Sequence, residues 1–595
     1  MKTPYSIRGP ITHLHKPNHQ YFYLPLVWFS ILLIQWGCNA PSQPADIILF
    51  GGKIVTVDSN FSIQEAVAIK DGNILAVGSN NEIMALAGSD TEQIDLDGKT
   101  LIPGINEGHV HPISASQSEY IQPIPDIHSI KELLGWIQKE AARKDAGEWI
   151  IHPKYFATRM LEMRQPTKFE LDSVAPDHPV FLDGSYGGMI NSQALQMSGI
   201  SPNSDHPGIL KDKQTGEPTG IIRGSAFGLL ALPENHELSQ KQQLKLLKEM
   251  LELYNEVGIT SICVGSGNPK DLQMFRTLKE KGALTVRVFQ NMYTPFDPHS
   301  TLDEMRAALS SFNYATGDGD DWVKVGALKT RIDGGILTGT AYLREPWGAG
   351  AREIYGITDQ DYRGMLNLNK EELIRIATAA NEHGWKFTAH ITGGGGVDEF
   401  LAALEEVNNE SPISEKRFSI IHGNFYTEEA INKMAQMGIY ADMQPAWFYK
   451  DADLLNQVLG EETMNTFHPY KSLSEAGVVI NGGSDHMVKL DSYTSINPYN
   501  PFVAIWSVVT RKTERGYIHA PQEAISREQA LKMYTINNAY ASFEEDIKGS
   551  IEPGKLADLA VLSEDILTCQ AEHIKDIKVL LTMVDGKVVY ENGPY

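Results

Sequence analysis

Apolar and polar positions along this chain change period several times, and those changes mark out its elements. Over residues 45–102, short strand-like runs (DIILF, KIVTV, EAVAI, NILAV, KTLI) are separated by the pairs Asp71-Gly72 and Asp97-Gly98, a pairing that favours tight turns. The C-terminal end repeats the style with LADLAVL, VLLTMV, the pair Asp585-Gly586 and KVVY. The interior reads differently. Leu244, Leu247, Leu251 and Tyr254 recur at helical spacing, the pattern stops at Gly258, and ITSICV follows. Asn369 is placed to cap KEELIRIATAANEH, which ends at Gly384 ahead of WKFTAH, and Thr427 to cap EEAINKMAQM, which ends at Gly438 ahead of IYADM. Repetition of helix, glycine stop and apolar strand predicts a parallel α/β barrel or open sheet.

This pattern divides the chain. Residues 46–102 and 545–595 are expected to pair as one small β domain, with residues 103–544 as a continuous insertion between them. Within that insertion, about 123–233 is longer than an ordinary strand-to-helix connection, which predicts a cap over the main body. The first 37 residues follow another plan. Lys2, Arg8 and Lys16 precede the apolar run 21–36, YFYLPLVWFSILLIQW, and Cys38 opens a short linker, 38–45. The layout resembles a bacterial lipoprotein export signal, in which Cys38 becomes the lipidated first residue. An uncleaved membrane anchor and ordinary secretion are the alternatives, and all three place the rest of the chain outside the cytoplasm. On the first, a lipid at Cys38 ties the protein to the membrane of the cell envelope, facing periplasm or exterior.

Composition narrows the partners. The chain has 595 residues and a formal net charge of -24, from 51 basic and 75 acidic side chains. Such a balance repels phosphate backbones, so no nucleic-acid partner is expected, and a small-molecule substrate is. Homo-oligomerisation stays open. Three cysteines, Cys38, Cys263 and Cys569, are too few and too scattered for a disulfide framework or a cysteine-built zinc site.

Chemistry-bearing residues fall where apolar strands end. His109 and His111 lie in PGINEGHVHP, Lys329 in VKVGALK, His390 after WKFTA, His422 after RFSII, and Asp485 after GVVINGGS. In a barrel of parallel strands those ends meet at one mouth, where barrel enzymes keep their sites. Each histidine alone could be a hydrogen-bonded structural residue, and His13-Leu14-His15 in the leader shows that His-x-His arises without purpose. The ordered set is far more specific.

That set resembles the amidohydrolase superfamily, in its YtcJ-like branch, also called amidohydrolase family three. The resemblance rests on PGINEGHVHP, INSQAL with GEPTGIIRG, ALKTRIDGG, HITGGGGVD, NGGSDHMV with a later VTR, ALKMYTINNAYA, and GSIEPGKLADLAVL with TMVDGKVVY. It implies a TIM-like (β/α)8 barrel flanked by a β-sandwich from both chain ends. It also implies that His109, His111, Lys329, His390, His422 and Asp485 hold one or two divalent ions, zinc being the default, with Lys329 open to carboxylation as a bridging ligand. A bound ion lowers the pKa of water from about 16 toward 7 and polarises a carbonyl, and Asp485 would serve as general base and then acid. The expected reaction is hydrolysis of a C–N bond in an amide, N-acyl or formamide group. Deamination, ester hydrolysis or isomerisation on the same site, and a non-catalytic metal-binding envelope protein, are the alternatives.

Three departures bear on substrate. Tyr186 stands where the family usually has histidine, and HITGG replaces the usual His-Ala-Ile-Gly-Asp, losing an acidic side chain. Arg331 stands where relatives tend to carry an aromatic. Spacing by two puts Arg331 and Asp333 on the face of Lys329, where Arg331 would either greet a substrate carboxylate or pair internally with Asp333. Trp447, Phe448 and Tyr449 after MQPA are expected to add an aromatic wall. The glycine run 393–396 is expected to let backbone approach a ligand.

Overall fold

The computed structural model describes residues 44–593, apart from 234–237 and 358. The leader and Cys38 lie outside the described residues, and no described helix is long and apolar enough to cross a membrane.

Eight parallel strands build the centre: β1 (Ile105–Val110), β2 (Ile259–Gly267), β3 (Arg287–Tyr293), β4 (Val323–Arg331), β5 (Phe387–Ile391), β6 (Ser419–His422), β7 (Tyr440–Met443) and β8 (Ile480–Gly482). Each pairs with its sequence neighbour, and β1 pairs with β2. The ring closes beyond the end of β8, where Val110 bridges His486 in parallel, the Asp485 amide donates to the His109 carbonyl at 2.7 Å, and the His111 amide donates to the His486 carbonyl at 2.8 Å. The fold is therefore a nearly closed (β/α)8 barrel with additional sheets.

Local chemistry explains the alternation. Ser239, Asn369 and Thr427 accept backbone N–H groups at the starts of the helices Gln240–Asn255, Lys370–Glu382 and Glu428–Met437. Gly258, Gly384 and Gly438 follow these helices in the left-handed region and turn the chain into β2, β5 and β7. The apolar faces of these helices and the outward faces of the strands share one core, from Leu247 and Leu251 through Phe387 and Ile420 to Ile505.

Strands from the two chain ends interleave. Thr100–Pro103 pairs with Leu559–Leu562 inside a six-stranded sheet, while Ala45–Phe50 and Ala66–Lys70 form the middle of a four-stranded one. Leu49, Val67, Leu101, Leu559 and Leu581 pack together between them. Asp71-Gly72 and Asp585-Gly586 are hairpin turns with positive φ at both positions, whereas Asp97-Gly98 carries the chain from one sheet to the other. Arg287, 1% exposed at the start of β3, fastens barrel to sandwich by a two-pronged pair with Asp558 (2.7 and 3.1 Å).

A five-stranded sheet, ordered Ile209–Lys211, Pro218–Arg223, Gly187–Ile190, Val180–Asp183 and Ile150–His152, lies within the segment between β1 and β2. Its loops carry Lys154, Phe156, Ser185 and Tyr186, which line the cavity at the strand ends, and we call this segment the cap.

Candidate metal centre

β1 ends at Val110, one residue before His111, and the imidazoles of His109 and His111 both reach the Asp485 carboxylate. The Nε2 atoms of His109 and His111 lie 3.6 and 3.3 Å from Oδ1 of Asp485, which follows β8. These three form the one tight group of potential ligands among the described residues. His422, at the end of β6, packs its ring 5.5 Å from that of His109 and 4.6 Å from that of His390 on β5. Lys329 of β4 faces the same cavity, is 4% exposed, and its side chain makes no hydrogen bond or ion pair among the described residues. All six sequence-predicted site residues thus share one cavity of about 470 Å³. His390 and His422 stand outside the tight group, and Nε2 of His390 meets the Gly334 carbonyl at 3.0 Å.

Burial dominates the electrostatics. It holds the imidazoles of His109, His390 and His422 well below the usual histidine range, with the Lys329 charge adding to the effect on each. Burial, with Arg331 beside it, also pushes the Lys329 ammonium below its ordinary value. Neutral imidazoles with free ring nitrogens, gathered against a carboxylate, fit a divalent cation. Gly265 on β2 completes the fit, because a Cβ there would lie 2.3 Å from Nε2 of His109 and displace the ring.

Two of these rings are held by partners that sequence reasoning missed. Asp442, near the end of β7, meets Nδ1 of His109 at 3.2 Å through Oδ2 and accepts from Gln444 Nε2 at 2.8 Å through Oδ1. Oε1 of Gln444 meets Nδ1 of His422 at 2.7 Å. Burial raises the Asp442 carboxyl to about 8; with that carboxyl ionised and the Gln444 oxygen toward His422, each histidine carries its proton on Nδ1 and leaves Nε2 for a ligand. The signal was present in ADMQ, where a carboxylate and an amide two residues apart close an apolar strand. Glu107 was missed as well. Its Oε1 accepts from the amides of His109 and Ser484, tying β1 to the segment after β8, and burial lifts its carboxyl to about 8.

Backbone strain concentrates here. Lys154, Ser185, His422 and Asp485 have φ of 58°, 71°, 72° and 58°, and all four line the cavity. Non-glycine residues in that region cost on the order of 1–3 kcal/mol each and persist where surrounding structure holds them.

Several expectations need correction. Arg331 does not pair with Asp333. It donates to Tyr293 Oη at 3.0 Å and lies over that ring, while Asp333 is buried beyond β4 and accepts from the amides of Thr392, Gly393 and Tyr342. Period two fails for Asp333 because β4 ends at Arg331. The glycine run serves packing, since a Cβ on Gly393 would sit 2.0 Å from the Tyr342 carbonyl. Of the three aromatics on the helix Pro445–Leu459, only Trp447 reaches the cavity, stacked on His422 at 4.4 Å. Phe448 turns away to the Arg511 guanidinium. Tyr186 stacks on His390 at 5.1 Å, and burial raises its phenol to about 12.

The sequence profile of the amidohydrolase family matches residues 92–590. The chain belongs to the amidohydrolase family. Membership of that family supports a metal-dependent hydrolase, with the histidine and aspartate cluster as its candidate metal centre. This amidohydrolase is 28% identical to an N-substituted formamide deformylase of Arthrobacter pascens over 92% of its own length and 99% of that protein. It is 26% identical to the putative amidohydrolase YtcJ of Bacillus subtilis over 92% and 99%. In fold it is similar to the crystal structure of an uncharacterized metal-dependent hydrolase from Pyrococcus horikoshii, with a TM-score of 0.64, 22% identity, and coverage of 89% of this chain and 99% of that one.

A second cavity, about 350 Å³, adjoins the first and shares Lys154, Phe156 and Ile496 with it. His152 lines it, 5% exposed, with neither ring nitrogen hydrogen-bonded among the described residues. Burial lowers this imidazole to about 4. The folded state therefore resists a proton that the unfolded chain accepts near 6.5. Stability is unaffected by His152 above that pH and falls as pH drops from 6.5 toward 4, by up to about 3 kcal/mol. Denaturant midpoints of wild type and His152→Leu should diverge with pH across that window, the variant losing less. Parallel curves would contradict the assignment.

Proposed function

We propose that this protein hydrolyses a carbon–nitrogen bond outside peptides, in an amide, N-acyl or formamide group. The convergence of His109, His111 and Asp485 on one wall of a capped cavity carries this reading, and the name of the formamide deformylase relative supports the substrate class. His109, His111, His390, His422, Asp485 and, if carboxylated, Lys329 would hold one or two divalent ions, and a nitrogen-rich donor set suits zinc. Such an ion supplies Lewis acidity and makes water a nucleophile at neutral pH.

The chain's own groups do the rest. Asp485 is fixed by its amide bond to the His109 carbonyl and by Asn497, whose Nδ2 donates to the Asp485 carbonyl at 2.9 Å. Its carboxylate takes one proton from the attacking water and returns it to the leaving nitrogen as the acyl C–N bond breaks. Water oxygen ends on the acyl carbon, and the amine leaves neutral. Tyr186 and Trp447, stacked on His390 and His422, wall the acyl group and limit water at the reacting carbon. The apolar run 21–36 and Cys38 support export and a lipid anchor for this enzyme.

A panel of N-substituted formamides and N-acyl amines, turned over in ¹⁸O-labelled water, tests the proposal. Label is expected in the carboxylic product, and activity is expected to fall on chelation and return with added zinc. Turnover without label in the acid would point to other chemistry on the same site. Turnover indifferent to chelation would end the reading.

A further inference from the structure

Two cations on the cavity wall have no part in the hydrolytic step: Arg331 at the end of β4 and Lys154 from the cap. Arg331 binds only the Tyr293 hydroxyl, Lys154 donates to Ser185 Oγ, and among the described residues neither pairs with a carboxylate. The acidic groups nearby are engaged. Asp271 accepts from the Asn268 amide as part of a helix cap, and Asp183 accepts from the Ser185 amide. In a chain of net charge -24, two cations that face one cavity without a direct ion pair among the described residues, though the Asp485 carboxylate acts on both from a distance, run against the bulk.

The backbone shows that Lys154 is placed. Both Lys154 and its partner Ser185 hold positive φ, a conformation an ordinary loop would give to glycine or asparagine. They follow neighbouring strands of the cap sheet, Ile150–His152 and Val180–Asp183, so parallel pairing of these strands brings the two residues together. Burial lowers the Lys154 ammonium against the opposing pull of the Asp183 and Asp485 carboxylates, and the Arg331 charge adds to the lowering.

We propose that the substrate carries a carboxylate, bound by Arg331 and Lys154 together while its acyl group lies at the histidine cluster. This rests on the hydrolase reading and narrows it to N-acyl or N-formyl amino acids and similar acids. The planar guanidinium of Arg331 suits a two-point grip on a carboxylate, and Lys154, oriented by Ser185, adds a point charge from the cap side. Because Lys154 belongs to the cap, the anion would also join cap to barrel.

The test uses the metal-loaded protein and matched pairs: N-formyl and N-benzoyl amino acids against their carboxamides. Charge-assisted bonds of the usual strength predict a KM for the acids about 10- to 100-fold lower. Lys154→Gly accepts the positive φ and removes the ammonium. It should raise KM for the acids by about 10-fold, leave kcat nearly unchanged, and leave the carboxamides unaffected, while Lys154→Arg keeps the preference. Arg331→Met should act in the same direction. Equal KM for acid and amide, or a preference that survives Lys154→Gly, overturns the proposal and leaves the hydrolase reading standing. If no pair is hydrolysed, that reading fails. Calorimetric binding of N-benzoylglycine and N-benzoylglycinamide then decides the carboxylate question, equal affinities counting against it.

Discussion

Asp485→Asn lowers turnover by about 10³-fold while the protein keeps its fold and its metal. General acid–base groups contribute about 10²–10⁴-fold, and an amide can neither take a proton from water nor return one to nitrogen. The substitution is nearly isosteric and leaves Oδ1 as a neutral donor beside His109 and His111, so the cluster is weakened less than the chemistry. Its backbone position, fixed by the His109 carbonyl and Asn497, does not depend on the side-chain charge. Single-turnover rates on wild type and variant, with metal content measured on the same samples, check it. Full turnover in a metal-replete Asp485→Asn protein would remove Asp485 from the proton path.

Asp442→Asn is expected to weaken metal binding by about 10- to 100-fold, the usual cost of losing a partner behind a ligating histidine. Asp442 serves two donors at once, Nδ1 of His109 and Nε2 of Gln444. An asparagine can accept only one of them through its oxygen, so its NH₂ faces the other donor inside a fully buried site. Either His109 loses its orientation, or Gln444 turns and releases His422. Competition with a chelator of known affinity reads the change. Unaltered affinity would mean that the relay through Asp442 and Gln444 does not hold the ligands.

Much of this was legible in the sequence because it is written in short-range chemistry. Asn and Thr caps, glycine stops and apolar strand runs marked the alternating elements, and strand ends marked His109, His111, Lys329, His390, His422 and Asp485. What escaped depends on which strand lies beside which. Asp442 and Gln444 look like ordinary strand-end residues until β7 is placed against β6 and its side chains are seen to reach across to His109 and His422. Asp333 appears on the face of Lys329 only if the strand continues, and it does not. Lys154 carries no local signal at all. Its meaning comes from a strained backbone in a cap whose sheet could not be ordered from its short, weakly patterned strands.

The proposed chemistry depends on one centre formed by residues distant in sequence. Metal analysis of the purified protein, alongside His109→Ala/His111→Ala with its fold verified by circular dichroism, tests this most directly. Wild type should retain about one or two equivalents of a divalent ion, zinc foremost, through gel filtration, and the double variant should retain almost none. Equal metal content in the two proteins, or a wild type that takes up no divalent ion when supplied with it, would contradict the account.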